Sequence, residues 1–421
     1  MRSTLDTDLE ALSVSIENFR CIRHAKISFD RSITVLIGKN GSGKTSILDA
    51  IVIGLQSFQD AWQYADRSRA TPRRGRVDAS EIYRDSKYYS IELTLKTSHE
   101  NLLGPQPIRI RSHTDKAISN QSFSSTIAHI NEFSHRFHKP LFIYYGQERG
   151  FEVGKSSRQL ALSEDSLDGN LRAISNLGEW WDQRDAEEAR TVRDTGQRDF
   201  RDPQLEAIRS LVKRIDGFKD IFYSSSLRPQ GLYFRKDDGA NVHVSKLSSG
   251  ERSYVILLAD LARRLQLSAT DSDISEIPGV VLIDEIELNL HPTWQSEIVS
   301  TMRDVFPACQ FIITTHSPQV VSAVESANIR IVRKNNDGDI FIEAPLNTLG
   351  RSSNYLLEGV FEASERFPQV DKMIEEFNNA IDTKDQNTAE KMLNMIQNTI
   401  EGSPPELILL EKRLKKIKLS K

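Results

Sequence analysis

Gly38-Lys39-Asn40-Gly41-Ser42-Gly43-Lys44-Thr45 satisfies the spacing G-x-x-x-x-G-K-[ST] at every required position. Glycines at those places let a backbone wrap closely around phosphate, with its N–H groups and a helix N-terminus facing the anion. Lys44 then reaches the β- and γ-phosphates, and the Thr45 hydroxyl is placed to ligate Mg²⁺. The stretch from Gly38 to Ser46 is therefore the expected cradle for ATP with Mg²⁺. A chance Gly-rich turn would lack what flanks it here: a strand before and a helix after.

A second group of chemically able residues lies far downstream. Val280 to Ile283 is a run of four aliphatics that ends in Asp284-Glu285. Carboxylates at the mouth of a buried strand suit magnesium and water: Asp284 acts on the metal, and Glu285 orients or deprotonates the attacking water. Taken alone, the pair would equally be an ordinary acidic turn. Its partnership with a phosphate loop decides for the site.

The elements that must position these groups are visible in the pattern. Alternation at Ser13–Phe19, a second strand at Ala25–Phe29 and a continuous apolar run at Ile33–Ile37 lead into the loop. Ser46–Val52 reads as a helix. Tyr89–Leu95 and Ile108–Arg111 suggest an antiparallel flank, and Leu141–Tyr145, Val280–Ile283 and Phe311–Thr314 read as buried strands of a parallel sheet. From Lys155 to about Asp220 the chain turns polar, with helical signals, and reads as an insertion or lid in which Trp180-Trp181 pack. Beyond Pro345, Val370, Met373, Ile374, Phe377 and Ile381, then Ala389, Met392, Leu393, Ile396 and Ile400, recur at helical spacing. They predict a helical hairpin, followed by a basic stretch from Lys412.

Bulk properties narrow the class. A net charge of −4 carries no global sign of nucleic-acid binding, so any DNA contact must be local. The Arg-rich loop Arg67, Arg69, Arg73, Arg74 and Arg76 could track a phosphate backbone or be a solvated loop. Two cysteines, Cys21 and Cys309, exclude a disulfide scaffold and point to a reducing, cytoplasmic setting. No apolar run approaches the length of a membrane span, and no membrane partner is expected.

Leu247-Ser248-Ser249-Gly250-Glu251, ahead of the helical stretch Tyr254–Leu265, resembles the signature of ABC ATPases in its L-S-x-G-E form. That form belongs to the Rad50, SMC and RecF branch. A hydroxyl and small residues at a helix N-terminus make an anion site, although a simple N-cap reads the same way. The resemblance implies that Ser248 and Gly250 bind the γ-phosphate held by another copy. Ile312-Ile313-Thr314-Thr315-His316-Ser317-Pro318 resembles the switch-histidine segment, which makes His316 a γ-phosphate sensor beside the catalytic Glu285 and Lys44. Glu287–Pro292 sits where that family's D-loop lies. Gln147, after Leu141–Tyr145, stands where a Q-loop glutamine would join Thr45 and Asp284 at the metal.

Ile16-Glu17-Asn18-Phe19-Arg20 resembles the opening of RecF and OLD-type ATPases, with Arg20 either touching phosphate or lying on the surface. Gly250-Glu251-Arg252-Ser253, Asp260–Leu265, Leu282–Glu287, Leu290-His291-Pro292 and Trp294-Gln295, with the tail from Asn354 to Pro405, are similar to the PtuA ATPase of Septu and retron anti-phage systems. This implies an α/β ABC-ATPase head, with a parallel core sheet, an antiparallel flank, a helical insertion and a C-terminal helical hairpin. The expected divisions are 1–150, 151–240, 241–345 and 346–421. It further implies a homodimer or higher homo-oligomer formed through ATP-sandwiched heads, controlling a separate HNH nuclease of the PtuB kind. The alternative is a RecF-like repair ATPase that binds DNA. Asp337-Gly338-Asp339 is formally the D-x-D of a Toprim nuclease, but the polar Asn335–Gly338 segment reads better as a hairpin turn.

Overall fold

The computed structural model describes residues 9–65, 77–97 except 85, 108–131, 140–147, 166–169, 173–268, 273–361 and 368–419 except 384, 401 and 403. Continuous apolar runs build its centre. β3 (Ile33–Ile37), β6 (Leu141–Tyr145), β11 (Gly279–Ile283) and β12 (Cys309–Thr314) are buried at every position. That is the pattern of strands covered on both faces. With β7 (Ser166–Gly169), β13 (Ile329–Lys334) and β14 (Ile340–Glu343) they form a seven-stranded sheet of order β14-β13-β3-β12-β11-β6-β7. All neighbours pair in parallel except β14, which closes one edge antiparallel to β13. The parallel register puts the carboxyl ends of β3, β12, β11 and β6 along one rim, where open α/β sheets bind ligands.

The antiparallel flank is a four-stranded sheet of order β2-β1-β4-β5, from β1 (Leu9–Phe19), β2 (Ile22–Ser28), β4 (Ser90–Thr97) and β5 (Ile108–His113). Its alternating apolar face shares one core with helix α1 (Lys44–Ala65), which leaves the phosphate loop. Gly54 makes their close approach possible: a Cβ there would lie 2.7 Å from Leu93 Cβ. Gln310 of β12 joins the two sheets. Its buried amide accepts from Ala11 N at 2.8 Å and donates to Ala11 O and Asp30 O at 2.9 and 2.8 Å. Helix α2 (Lys116–Asn131) lies against α1 and β5.

Downstream come α3 (Ala173–Thr195) and α4 (Pro203–Val212), the latter capped by Asp202, which accepts from Gln204 N and Leu205 N. Trp180 and Trp181 are fully buried, edge to face with centroids 6.1 Å apart, so they pack the interior as expected. An unanticipated three-stranded antiparallel sheet follows, from β8 (Phe218–Ser224), β9 (Gly231–Lys236) and β10 (Asn241–His243). Helix α5 (Ser249–Ser268) carries the signature residues at its start. Helices α6 (Pro292–Val305) and α7 (Pro318–Ser322) each begin with proline at the first turn. The Asp337-Gly338 segment is a turn: Asn335 Oδ1 accepts from Asp337 N and Asp339 N, and Asp339 pairs with Arg23. The hairpin reading of that D-x-D therefore stands.

Ser352–Lys421 is a separate compact unit. It contains α8 (Ser353–Gly359), α9 (Pro368–Asp382), α10 (Gln386–Thr399) and α11 (Pro405–Leu419). The expected hairpin is α9–α10, and the basic stretch is part of α11. Phe377, Leu393, Ile396, Leu407, Leu410 and Leu414 form its core. The Arg67–Arg76 loop lies outside the described residues.

Candidate nucleotide site

Four strand ends on one rim deliver the candidate groups. After β3, Gly38 turns with φ +155°, and Gly41 and Gly43 with φ +76° and +103°. Gly38 has no room for a side chain, because a Cβ would meet Val332 O at 2.5 Å. Gly38→Ala is therefore expected to cost about 1–3 kcal/mol and to weaken nucleotide binding at least ~10-fold. A fluorescent-nucleotide titration beside a denaturant melt checks both.

Lys44 folds back over the loop, its Nζ donating to Gly38 O at 2.9 Å and Lys39 O at 3.3 Å. Burial holds its pKa below the ordinary lysine value, against the pull of Asp284 and Glu285. Both carbonyls are ones that an incoming phosphate would replace as partners. Asn40 and Gly41 are exposed at the loop's crest, and Ser42 Oγ is buried with no hydrogen-bond partner among the described residues. Ser46 faces Cys21, Oγ to Sγ 3.6 Å.

Thr45, at the first turn of α1, donates its hydroxyl to Asp284 Oδ2 at 2.9 Å. Asp284 also accepts from the Thr314 hydroxyl at the end of β12. Glu285 turns outward with φ +48°, and its backbone N–H is held by Thr314 Oγ1 at 2.7 Å. Gln147, two residues past the end of β6, reaches both halves: Nε2 lies 3.3 Å from Thr45 Oγ1 and 3.1 Å from Glu285 Oε1. The structure thus brings together Lys44, Thr45, Asp284, Glu285 and Gln147, which are up to 241 positions apart in the chain (285 − 44).

His316 follows β12. Its backbone N–H donates to Glu287 Oε1 at 2.6 Å, and Thr315 donates to Glu287 Oε2 at 2.7 Å. Burial first, and then the charge of Lys44, lower the pKa of the imidazole, while Glu287 and Asp284 oppose them. The neutral ring is therefore favoured near neutral pH, and it sits within the electrostatic reach of Lys44.

The signature residues take a different setting. Ser248 caps α5 in a reciprocal box: its N–H and hydroxyl donate to Glu251 Oε2 at 3.0 and 2.9 Å, and Glu251 N–H donates to Ser248 Oγ at 3.2 Å. Gly250 lies against the segment after Glu285, where a Cβ would be 3.0 Å from Asn289 O and 3.4 Å from His291 N. Ser248's bonds stay at its own helix end.

Arg20 is held by carboxylates. It pairs with Asp49 of α1 and with Glu81, at 2.8 Å, and lies over the Phe19 ring. Sequence reasoning placed Glu287 only in the D-loop segment and Thr314 only in the switch-histidine run; here they hold Asp284, Glu285 and His316 in place. Beyond that run, the sign of Thr314 was a hydroxyl closing the apolar stretch Phe311–Ile313.

The donor set suits Mg²⁺. A hydroxyl and a carboxylate already in contact offer the hard oxygen ligands that this ion takes beside phosphate oxygens. Among the described residues no group of three or more His, Cys, Asp or Glu forms a protein-only metal cage. Gln147 presents its Nε2 here, so ligation through its oxygen requires the amide to rotate.

The chain is 26% identical to "Retron Ec83 probable ATPase" of Escherichia coli, over 89% of this chain and 80% of that protein. "Retron Vc95 probable ATPase" of Vibrio cholerae serotype O1 biovar El Tor is 24% identical, over 84% and 79%. "Septu protein PtuA" of Bacillus mycoides strain KBAB4 is 23% identical, over 79% of this chain but 42% of its own length. No helix among the described residues is long and apolar enough to cross a membrane. Residues 33–322, most of the chain and every strand end described above, match the family "AAA domain, putative AbiEii toxin, Type IV TA system". The protein belongs to that family and is an ABC-type ATPase.

Proposed function

We propose that this chain is the ATPase of an anti-phage defence complex. In this reading ATP draws two copies together through their heads, and the paired state controls a separate HNH nuclease. The observation that carries the catalytic part is the hydrogen-bonded set Thr45–Asp284 and Gln147–Glu285, which joins three strand ends. Lys44 and the loop N–H groups hold the phosphates, and Glu285 takes the proton of a water attacking the γ-phosphorus as ADP leaves. Magnesium, held by Thr45 and Asp284, would neutralise phosphate charge. The similarity to retron and Septu proteins supports the defence setting.

The resemblance of Leu247–Glu251 to the ABC signature supports pairing of heads, with Ser248 and Gly250 of one copy meeting the γ-phosphate held by another. Mixed dimers of a Lys44→Ala chain and a Ser248→Arg chain, purified through two different tags, test this. Each variant alone is expected to be inactive. The mixed dimer keeps one intact composite site and recovers about half of wild-type turnover. If every site were completed within one chain, the mixed dimer would stay inactive, and the pairing reading would fail.

A further inference from the structure

The C-terminal unit uses Leu407, Leu410 and Leu414 of α11 for its core. The neighbouring face of the same helix carries Leu409, Lys412, Arg413 and Lys416, at spacings of three, four and seven residues. Those spacings lay the four side chains in one row, about 10 Å long at 1.5 Å per residue. Ile374 and Asn378, one turn apart on α9, line the opposite wall of a groove of about 550 Å³. Leu409 is 58% exposed, and Ile408 beside it 45%. Among the described residues no carboxylate pairs with Lys412, Arg413 or Lys416, and Arg413 instead donates to Asn378 Oδ1 at 2.7 Å.

We propose that this groove docks an acidic amphipathic helix of a partner protein. The groove runs between two helices for about two turns, which is the shape that accepts a third helix along it. Leu409 and the partly buried Ile374 offer apolar anchor sites, with the core residue Leu410 at the groove's floor. The row of cations along one side selects glutamate or aspartate on the incoming helix. A second copy docked by a two-fold contact would set these cations against their own kind. A nucleic-acid backbone would use the cations and leave the leucine and isoleucine against phosphate. Acidic helix is the occupant that satisfies both halves. The inference does not depend on how ATP is used, because every residue in it lies in the C-terminal unit.

The probe is a fluorescein-labelled synthetic helix of about 18 residues, with leucines at helical spacing and glutamates on the other faces. It is titrated into the full chain and followed by anisotropy. Expected is saturable binding that weakens with salt and falls at least ~10-fold in Leu409→Asp and in Lys412→Glu/Lys416→Glu. ATP turnover should stay at the wild-type rate in both variants. An isolated Ser352–Lys421 fragment carrying the same changes should keep the helical circular-dichroism signal and melt of the unsubstituted fragment, which shows that the C-terminal unit is folded. A peptide with lysines in place of glutamates should bind the double charge variant and not the wild type. No saturable binding, or equal binding to Leu409→Asp, overturns the proposal. A duplex oligonucleotide that displaces the peptide and depends on Lys412 and Lys416 would overturn it in favour of nucleic acid. Self-association abolished by Leu409→Asp would overturn it in favour of a second copy.

Discussion

Glu285→Gln is expected to bind ATP normally, to accumulate as ATP-bound pairs, and to release phosphate at least ~100-fold more slowly. The substitution keeps the shape of the side chain and an oxygen to accept from Gln147, now 3.1 Å away. It keeps the backbone N–H on Thr314 Oγ1, so the left-handed turn at Glu285 persists. Thr45 and Asp284 are untouched. What disappears is the basic carboxylate, and with it the acceptor for the proton of the attacking water. Phosphate release and sedimentation with and without ATP measure the two halves. Unchanged release would remove Glu285 from the chemistry, and slow release without pairing would separate hydrolysis from assembly.

Asp260→Asn should have the largest effect on stability. Asp260, Arg263 and Arg264 on α5 are almost wholly buried, one carboxylate between two guanidinium groups. Arg263 contacts Oδ1 at 2.7 Å and Arg264 contacts Oδ2 at 2.8 Å, while the Tyr145 hydroxyl donates to Oδ2 at 3.1 Å. Burial alone would raise the pKa of Asp260, but the two arginines hold it below the ordinary value. Neutralising the carboxylate removes a counter-charge that both buried guanidinium groups contact, and breaking a buried pair typically costs about 3–5 kcal/mol. Denaturant midpoints of the two proteins give the difference. The sign with pH follows from the depressed pKa. The wild type's advantage is complete above the ordinary aspartate value of ~3.9 and is lost as the pH falls through the folded value. A difference that grows on acidification would show that Asp260 does not act through its charge.

Much of the site was legible because its parts are local. A phosphate loop is one contiguous stretch, and Val280–Ile283 and Phe311–Ile313 are apolar throughout because both faces of their sheet are covered. Long-range partners were not legible. Nothing around Glu287 announces that it holds the backbone of His316, and Arg20 gave no sign that it answers Asp49 and Glu81. Arg263-Arg264 resembles a surface pair unless Asp260, three and four positions earlier in an apolar helix, is read as their counter-charge. The sheet β8-β9-β10 was hidden because its strands mix Phe218, Ile221 and Phe234 with Lys219, Asp220 and Arg235. Alternation that imperfect, in a polar region, does not separate a strand from a loop.

Gly54 gives α1 a mechanical part that its motif does not. The helix begins at the phosphate-loop lysine, and ten residues on, its backbone rests directly on Leu93 of the flanking sheet. Only the Leu93 side chain separates the helix backbone from the sheet, and a close-packed contact that thin leaves little slack. A shift of α1 along or across its axis when the loop fills must therefore be passed on to β4 and its neighbours. Packed this closely, helix and flank would move together, with the phosphate loop at the near end of α1.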